Sequence, residues 1–116
     1  MLIYFASNKL QKQCSSLKKS QKKWGVESGK LIMRRLDEIL ASNNLEILKA
    51  IHPRCHPMTG DRKGKWSVDL KHPYRLYFVI ANDPIPTLKD GSVDCKKVTK
   101  IKIIEVEDPH GRRAKK

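Results

Sequence analysis

Acidic residues are scarce in this chain of 116 residues, with 12 Asp and Glu against 25 Lys and Arg. The formal net charge is therefore +13 at pH 7, and the isoelectric point is near 9.9. A field of this sign attracts polyanions, and nucleic acid is the usual partner of a basic domain of this size. A membrane surface is the weaker alternative, because no stretch combines a strongly basic face with bulky aromatic residues.

Long apolar runs are also absent. No run approaches the roughly 20 apolar residues that a membrane helix needs, and no signal peptide follows the short apolar start Met1–Phe5. The three cysteines, Cys14, Cys55 and Cys95, are odd in number and have no motif spacing. This pattern predicts free thiols in a reducing cytosol and a cytoplasmic protein with no membrane partner.

The length fits one domain, and apolar residues at 39% with charged residues at 32% favour a folded chain. We expect a single domain over residues 1–110, followed by a basic, disordered tail over residues 111–116.

Helical spacing dominates the first half. The pattern of residues 7–24 predicts a helix that is capped by Ser7 or Asn8 and ended by Gly25. The apolar residues that face the core from this helix are expected to be Leu10, Cys14, Leu17 and Trp24. Residues 26–41 predict a second helix with an inward stripe of Ile32, Leu36, Ile39 and Leu40. Asn43 and Asn44 break it, and a short third helix follows, with its apolar side formed by Leu45, Leu48 and Ile51.

Alternation of apolar and polar residues marks the predicted strands. Residues 2–5 predict a first strand, and the period changes to two at Trp66, beginning a hairpin that turns at His72-Pro73. Its second strand is apolar on both faces and is predicted to be central. Residues 81–99 predict a long loop, and Ile101 begins the last strand. The predicted class is α+β: an antiparallel, mixed-edge sheet of about four strands with two to three helices packed on one face.

The stretch from His56 to Val68 reads His-Pro-Met-Thr-Gly-Asp-Arg-Lys-Gly-Lys-Trp-Ser-Val. It resembles the HigB branch of the RelE/ParE toxin superfamily, the plasmid maintenance system killer type. In that branch a motif H-P-L-x-G-D-R-x-G-x-W-S-I leads into a hairpin with an aromatic-Arg pair, here Tyr74-Arg75. An acidic pair and a histidine follow the last strand, here Glu107-Asp108-Pro109-His110. The close match covers about 40 residues in two blocks.

The resemblance implies a RelE-like fold and a ribosome-dependent mRNA endonuclease that needs no metal or other cofactor. Its reaction is attack of a ribose 2′-OH on the neighbouring phosphate, which requires a base, an acid and a cation. The resemblance makes His56 a general base or acid and Arg75 the cation on the phosphate. It makes Asp108 a residue that orients an imidazole or activates the 2′-OH, and His110 the other half of the proton pair.

Each of these assignments has a plainer alternative. A His-Pro pair such as His56-Pro57 is often only a turn element, and residues just past a last strand, such as Asp108 and His110, often have no role. Arg75 could instead form a salt bridge to Asp61, Asp69 or Glu105. Arg62 could bind RNA or pair with Asp61.

Basic residues outside this set are expected to contact RNA phosphates, which position a nucleic acid without reading its sequence. These are Lys63 and Lys65 beside the motif, and Lys18, Lys19, Lys22 and Lys23 in the first helix. A solvated helix face is the alternative for the second group. A zinc site built on His52, Cys55 and His56 is rejected, since Pro53 and Pro57 prevent helical pairing of the ligands.

The chain departs from the family pattern at two positions. Pro109 stands where an aromatic residue, commonly tyrosine, is usual, and Thr59 replaces a lysine. Proline offers neither a stacking surface nor a hydroxyl, so Tyr74 or Tyr77 could substitute as the surface on which a base stacks.

Three functions remain open on the sequence. The first is the ribonuclease, neutralised by a HigA-like helix-turn-helix antitoxin that carries the complex to operator DNA. The second is a protein of the same fold that binds RNA, DNA or a partner without cutting, which Pro109 favours. The third is the gyrase-inhibiting branch of the superfamily, which has no use for a proton-transfer pair. The ribonuclease reading requires His56, Arg75 and His110 to meet in one positively charged hollow.

Overall fold

A computed structural model describes residues 1–58 and 64–108. These residues form five strands and four α-helices. In chain order they are β1 (Leu2–Phe5), α1 (Asn8–Ser15), α2 (Leu17–Trp24), α3 (Val26–Ala41), α4 (Leu45–Ile51), β2 (His56–Pro57), β3 (Trp66–Asp69), β4 (Arg75–Ile80) and β5 (Lys100–Glu107). The predicted α+β class is confirmed, with one strand and one helix more than the sequence pattern indicates.

The strands form one mixed sheet in the order β1-β5-β4-β3-β2. β1 runs parallel to β5, and every other neighbouring pair is antiparallel. β4 is central, as its two apolar faces predict, and Leu76, Tyr77 and Phe78 are fully buried. The additional strand, β2, is a two-residue segment at the edge, too short to show an alternating pattern.

The first predicted helix is divided in two at Ser16. Ser16 has an extended backbone, and its Oγ accepts a hydrogen bond from the Lys19 amide at 3.2 Å, which begins α2. Ser7 caps α1 in the same way through the Leu10 amide. Because a serine hydroxyl replaces a lost helical bond, the chain can change direction at little cost. Leu17, predicted to face inward, instead lies beside the break and is 45% exposed.

The helix α3 has the bounds that the sequence predicts, and it packs closely on α2 at Gly29. A Cβ at this position would lie 2.5 Å from Cγ and 2.7 Å from the backbone nitrogen of Gln21. The stripe of α3 faces the core through Ile32 and Ile39, whereas Leu40 is 59% exposed. Leu40 follows Ile39 by one residue, or about 100° around the helix, so both cannot face inward.

One core cluster joins the helices to one face of the sheet. Trp66 belongs to it and stacks on Phe78 with ring centroids 6.4 Å apart. Leu45 and Leu48 of α4 are fully buried in it, but Ile51, at the end of that helix, is 48% exposed and not inward. No helix within the described ranges is both long and apolar enough to cross a bilayer.

The connection over residues 81–99, predicted as a loop, carries short elements of its own. Thr87 and Val93 form an isolated bridge, and Cys95–Lys97 form a 3₁₀ turn. The Asn82 side chain accepts hydrogen bonds from the amides of Thr99 and Lys100, which fastens the loop's two ends together.

Candidate functional site

The face of the sheet opposite the core carries two rows of side chains, here called the polar face. Residues paired directly across antiparallel strands point to the same side of a sheet. The first row consists of His56, Ser67, Tyr77 and Glu105, and the second of Asp69, Arg75 and Glu107. The adjacent positions Trp66, Val68, Leu76 and Phe78 belong to the core, so the alternation assigns the rows to the other side.

His56 begins the edge strand β2 and is exposed. Its Nδ1 lies 3.1 Å from the carbonyl oxygen of Pro57. Because a carbonyl oxygen only accepts hydrogen bonds, this contact requires the proton of a neutral imidazole to be on Nδ1. The Nε2 atom of that tautomer keeps its lone pair and can take a proton from a substrate.

Arg75 is held by two neighbours on β3. Its Nε lies 3.3 Å from Oδ1 of Asp69, and its Nη1 donates to Oγ of Ser67 at 3.5 Å. The salt bridge to Asp69, one of the alternatives left open by the sequence, is therefore present. Both contacts use only part of the guanidinium, and its other N–H groups have no acceptor within residues 1–58 and 64–108.

Ser67 links His56 to Arg75. It pairs with His56 across β2 and β3, and it accepts the bond from Arg75 on the next strand. Since neighbouring strands lie about 4.8 Å apart, the backbones of β2 and β4 are separated by about 10 Å. Arg75 is also two residues along β4 from Tyr77, so its backbone is offset from the His56 row by about 7 Å. Both side chains lie on the same side of the sheet. The structure thus brings His56 and Arg75 to one region of the polar face.

Asp108 is farther from His56. It directly follows Glu107, which pairs with Arg75 across β4 and β5, so it lies at the Arg75 end of the second row. β5 is three strands from β2, or about 14 Å at ordinary strand spacing. His110 lies outside the described residues, as do Thr59, Arg62, Lys63 and Pro109.

The predicted basic residues fall on two separate surfaces. Lys65 reaches the polar face, where its Nζ lies 3.5 Å from Oε1 of Glu105. In contrast, Lys18, Lys19, Lys22 and Lys23 are exposed on α2, which packs against α3 in the helical layer. They lie on the other side of the sheet from His56 and Arg75, so one small ligand cannot contact both groups.

The polar face is not uniformly positive. Its two rows and their ion-pair partners contain the cations Arg54, Lys65 and Arg75 and the anions Asp69, Glu105 and Glu107. The expected positively charged hollow includes His110, which lies outside the described residues, so it stays a prediction. In the described part of the face the formal charges cancel. The period-two spacing of Glu105 and Glu107 in the last strand was the signal for this, because it places both on one face.

Tyr77 does not fit the expectation that its ring could stack on an RNA base. It lies in the first row but is 0% exposed, so it offers no surface on which a base can stack. Tyr74 is partly buried against the edge of the core. Of the two tyrosines, Tyr74 alone therefore keeps the stacking role suggested by the sequence.

Cys55 precedes His56 but does not contribute a nucleophile. Burial raises the pKa of its thiol to about 12, although the nearby Lys49 acts in the opposite direction. A thiol of this pKa stays protonated at neutral pH. Within the described ranges, no three His, Cys, Asp or Glu side chains lie close enough together to hold a metal ion.

A separate charged cluster supports the site from the core side. Arg35 donates through Nε to the backbone oxygen of Asp69 at 2.9 Å, and its Nη1 lies 3.0 Å from Glu38 Oε1. His52 Nε2 lies 2.9 Å from that same oxygen of Glu38. Burial acts to raise the pKa of Glu38, but the bonds from His52 and Arg35 outweigh it and hold the pKa below its ordinary value. The cluster ties α3 and α4 to the strand that carries Asp69.

No protein-family model matches the sequence, and no curated protein matches it significantly.

Proposed function

We propose that this chain is a HigB-like toxin of a type II toxin-antitoxin system, with a RelE-like fold, that cuts ribosome-bound mRNA. The proposal rests first on the two blocks of matching sequence, which contain His56, Arg75 and Asp108. The structural observation that carries it is the link from exposed His56 through Ser67 to Arg75 on one face of the sheet. Attack by a ribose 2′-OH requires a base and a cation that can reach the same phosphodiester.

In the proposed reaction, Nε2 of His56 takes the proton of the 2′-OH while O2′ forms a bond to phosphorus. Arg75 stabilises the negative charge on the non-bridging oxygens through the N–H groups that Asp69 and Ser67 leave unused. The bond from phosphorus to O5′ then breaks, and His110 supplies the proton to the leaving oxygen. The products are a 2′,3′-cyclic phosphate and a 5′-hydroxyl end.

Asp69 has a defined part in this scheme although the sequence pattern gave it none. By binding Arg75 at Nε, it helps to fix the plane of the guanidinium, whose Nη1 also donates to Ser67 on β3. Asp108, at the Arg75 end of the second row, is assigned to orienting the imidazole of His110, which follows it by two residues. The lysines of α2 are assigned to the phosphates of ribosomal RNA, since they form a surface apart from the site.

The proposed partner is a HigA-like helix-turn-helix antitoxin, through which the complex binds operator DNA. The proposed place of action is the cytoplasm, where translating ribosomes are found. An antitoxin gene adjoining this one would support both proposals, and its protein should co-purify with the chain.

The second candidate is a protein of this fold that binds RNA or a partner without cutting. The balanced charges of the described polar face and the engagement of Arg75 by Asp69 favour it. Translating ribosomes separate the two functions. Discrete mRNA cuts made by the parent but not by His56→Gln or His110→Gln support the nuclease, whereas bound and intact mRNA supports the binder.

His52→Gln is the matched control for this experiment. His52 is a histidine four residues from His56, but it faces Glu38 in the core-side cluster. It should cut at the parental rate at a temperature where it is folded. If His56→Gln and His110→Gln also cut at the parental rate, the catalytic assignment is wrong.

A further inference from the structure

A cleft of about 450 Å³ opens beside Arg75, at the turn between β3 and β4. Its walls include Arg54, Asp69, Arg75 and the turn residues His72, Pro73 and Tyr74. The volume is within the range of small-molecule sites. Arg54 and His72 lie outside the residues to which the family resemblance gives a role in catalysis or RNA binding.

One end of the cleft is a pair of arginines that share a carboxylate. Arg54 Nε lies 2.9 Å from Oδ2 of Asp69, while Arg75 Nε lies 3.3 Å from Oδ1. The three side chains carry a formal charge of +1. Both arginines contact Asp69 through Nε, and Nη1 of Arg75 also donates to Ser67. The other N–H groups of the two guanidiniums have no acceptor among the described residues and can bind a further anion. Arg54 has no acceptor besides Asp69 in the described part of the chain, and its side chain is 72% exposed.

The lining also includes ring side chains from the turn, the aromatic rings of His72 and Tyr74 and the ring of Pro73. His72 is exposed, while Pro73 and Tyr74 are partly buried, so each presents a surface to the cleft without filling it. Flat rings of this kind stack on nucleic-acid bases, and such stacking tolerates any base. An anion site next to a stacking surface suits a nucleotide, whose phosphate is an anion and whose base is a flat ring.

From this arrangement we infer that the cleft binds one nucleotide of single-stranded RNA next to the scissile phosphate. Its own phosphate lies against Arg54 and its base lies on Tyr74 and His72, while Arg75 holds the scissile phosphate. The inference rests on the proposed function, because it places the RNA strand across the polar face from His56 past Arg75. It requires an unpaired strand, since a base in a duplex is not free to stack on the turn.

The test uses binding of an RNA strand that cannot be cut. A fluorescein-labelled hexamer of 2′-O-methyl RNA lacks the attacking hydroxyl, and its anisotropy reports binding without turnover. We expect Arg54→Gln to weaken binding about tenfold in low salt. Arg34→Gln, an exposed arginine on α3, should change it less than twofold. Because Arg54 is largely exposed, its replacement should leave the fold intact.

A hexamer with abasic sites tests the proposed stacking of the RNA base on Tyr74 and His72. It should bind the parent about tenfold more weakly than the complete hexamer, and Tyr74→Leu should reduce that difference. Equal binding of the two hexamers would contradict the base site. A poly-glutamate peptide bound as tightly as RNA, with the same dependence on Arg54, would show a general anion site and overturn the inference.

The two proposals fail separately. If ribosome-bound mRNA is cut by the parent and by Arg54→Gln at equal rates, and the hexamer binds both equally, the cleft inference is wrong and the nuclease stands. If mRNA is never cut but Arg54→Gln still weakens hexamer binding, the nuclease is wrong and the cleft remains an RNA site.

Discussion

Replacing Arg75 with lysine keeps the positive charge of the side chain but removes the planar fork of N–H donors. In the structure that fork contacts Asp69 at 3.3 Å and Ser67 at 3.5 Å while keeping further donors for a phosphate. A lysine ammonium is a single point and cannot hold Asp69 at the same position while presenting two donors to the phosphate. The substitution therefore separates charge from geometry.

The effect on stability should be small. The side chains of Arg75 and Asp69 are 20% and 39% exposed, and ion pairs with this access to water contribute about 0.2 to 1 kcal/mol. Lysine keeps part of that contribution, so we expect the free energy of unfolding to fall by less than about 1 kcal/mol. Urea unfolding, followed by tryptophan fluorescence from Trp66 and Trp24, measures it.

The effect on cutting should be large. Losing one preorganised donor to a developing negative charge typically lowers a rate by about 10² to 10³. Rates are measured by primer extension on ribosome-bound mRNA, with Arg34→Lys on α3 as the matched control, which should cut at the parental rate. If Arg75→Lys cuts within about threefold of the parental rate, the assignment of Arg75 to the phosphate is refuted. A rate loss that simply follows a loss of folded protein would refute it equally.

Three further predictions concern the framework of the site. Glu38→Gln should lower the free energy of unfolding by about 1 to 3 kcal/mol at pH 7, against almost no change for the exposed control Asp37→Asn. Because the folded-state pKa of Glu38 is depressed, its stabilisation is fully present above the ordinary value of 4.5. The stabilisation is lost as the pH falls through the lower folded value, so urea unfolding at pH 3 should show a smaller difference between parent and variant. Gly29→Ala should lower the melting temperature measurably, because its Cβ would lie 2.5 Å from Cγ of Gln21 and 2.7 Å from its backbone nitrogen; an unchanged melting temperature would contradict the tight contact of α2 and α3. Cys55, whose pKa burial raises to about 12, should resist alkylation by iodoacetamide at pH 8 until urea unfolds the protein, and rapid alkylation of the folded protein would contradict its burial.

Where local pattern and packing agreed, the sequence was a sufficient guide to the fold. The bounds of α3 and the central place of β4 follow from apolar periodicity, which the core then enforces. Two features of the fold could not be predicted from the sequence, because no periodicity of apolar residues marks them. β2 has two residues, one of them Pro57, and gains its strand conformation only by pairing with β3. The break at Ser16 depends on a single side-chain bond to Lys19.

The candidate site was less predictable than the fold. Local sequence blocks pointed to His56 and Arg75, but the roles of Asp69 and Arg54 depend on which side chains meet across β2, β3 and β4. Strand register decides such contacts, and register is a property of the folded sheet. The charge balance of the described polar face could have been anticipated in part, because the period-two spacing of Glu105 and Glu107 places both on one face. The net charge of +13 belongs to the whole chain and does not show this local arrangement.

The chemistry of the cut ends tests the central claim most directly. Fragments released from ribosome-bound mRNA are recovered, and their termini are assigned by whether ligation requires prior removal of a 2′,3′-cyclic phosphate and phosphorylation of the 5′ end. Attack by the 2′-OH with His56 as the base predicts both requirements, and a single 2′-deoxy nucleotide at a mapped site should abolish the cut there. Fragments with 3′-hydroxyl and 5′-phosphate ends, or undiminished cutting at the 2′-deoxy position, would contradict the account.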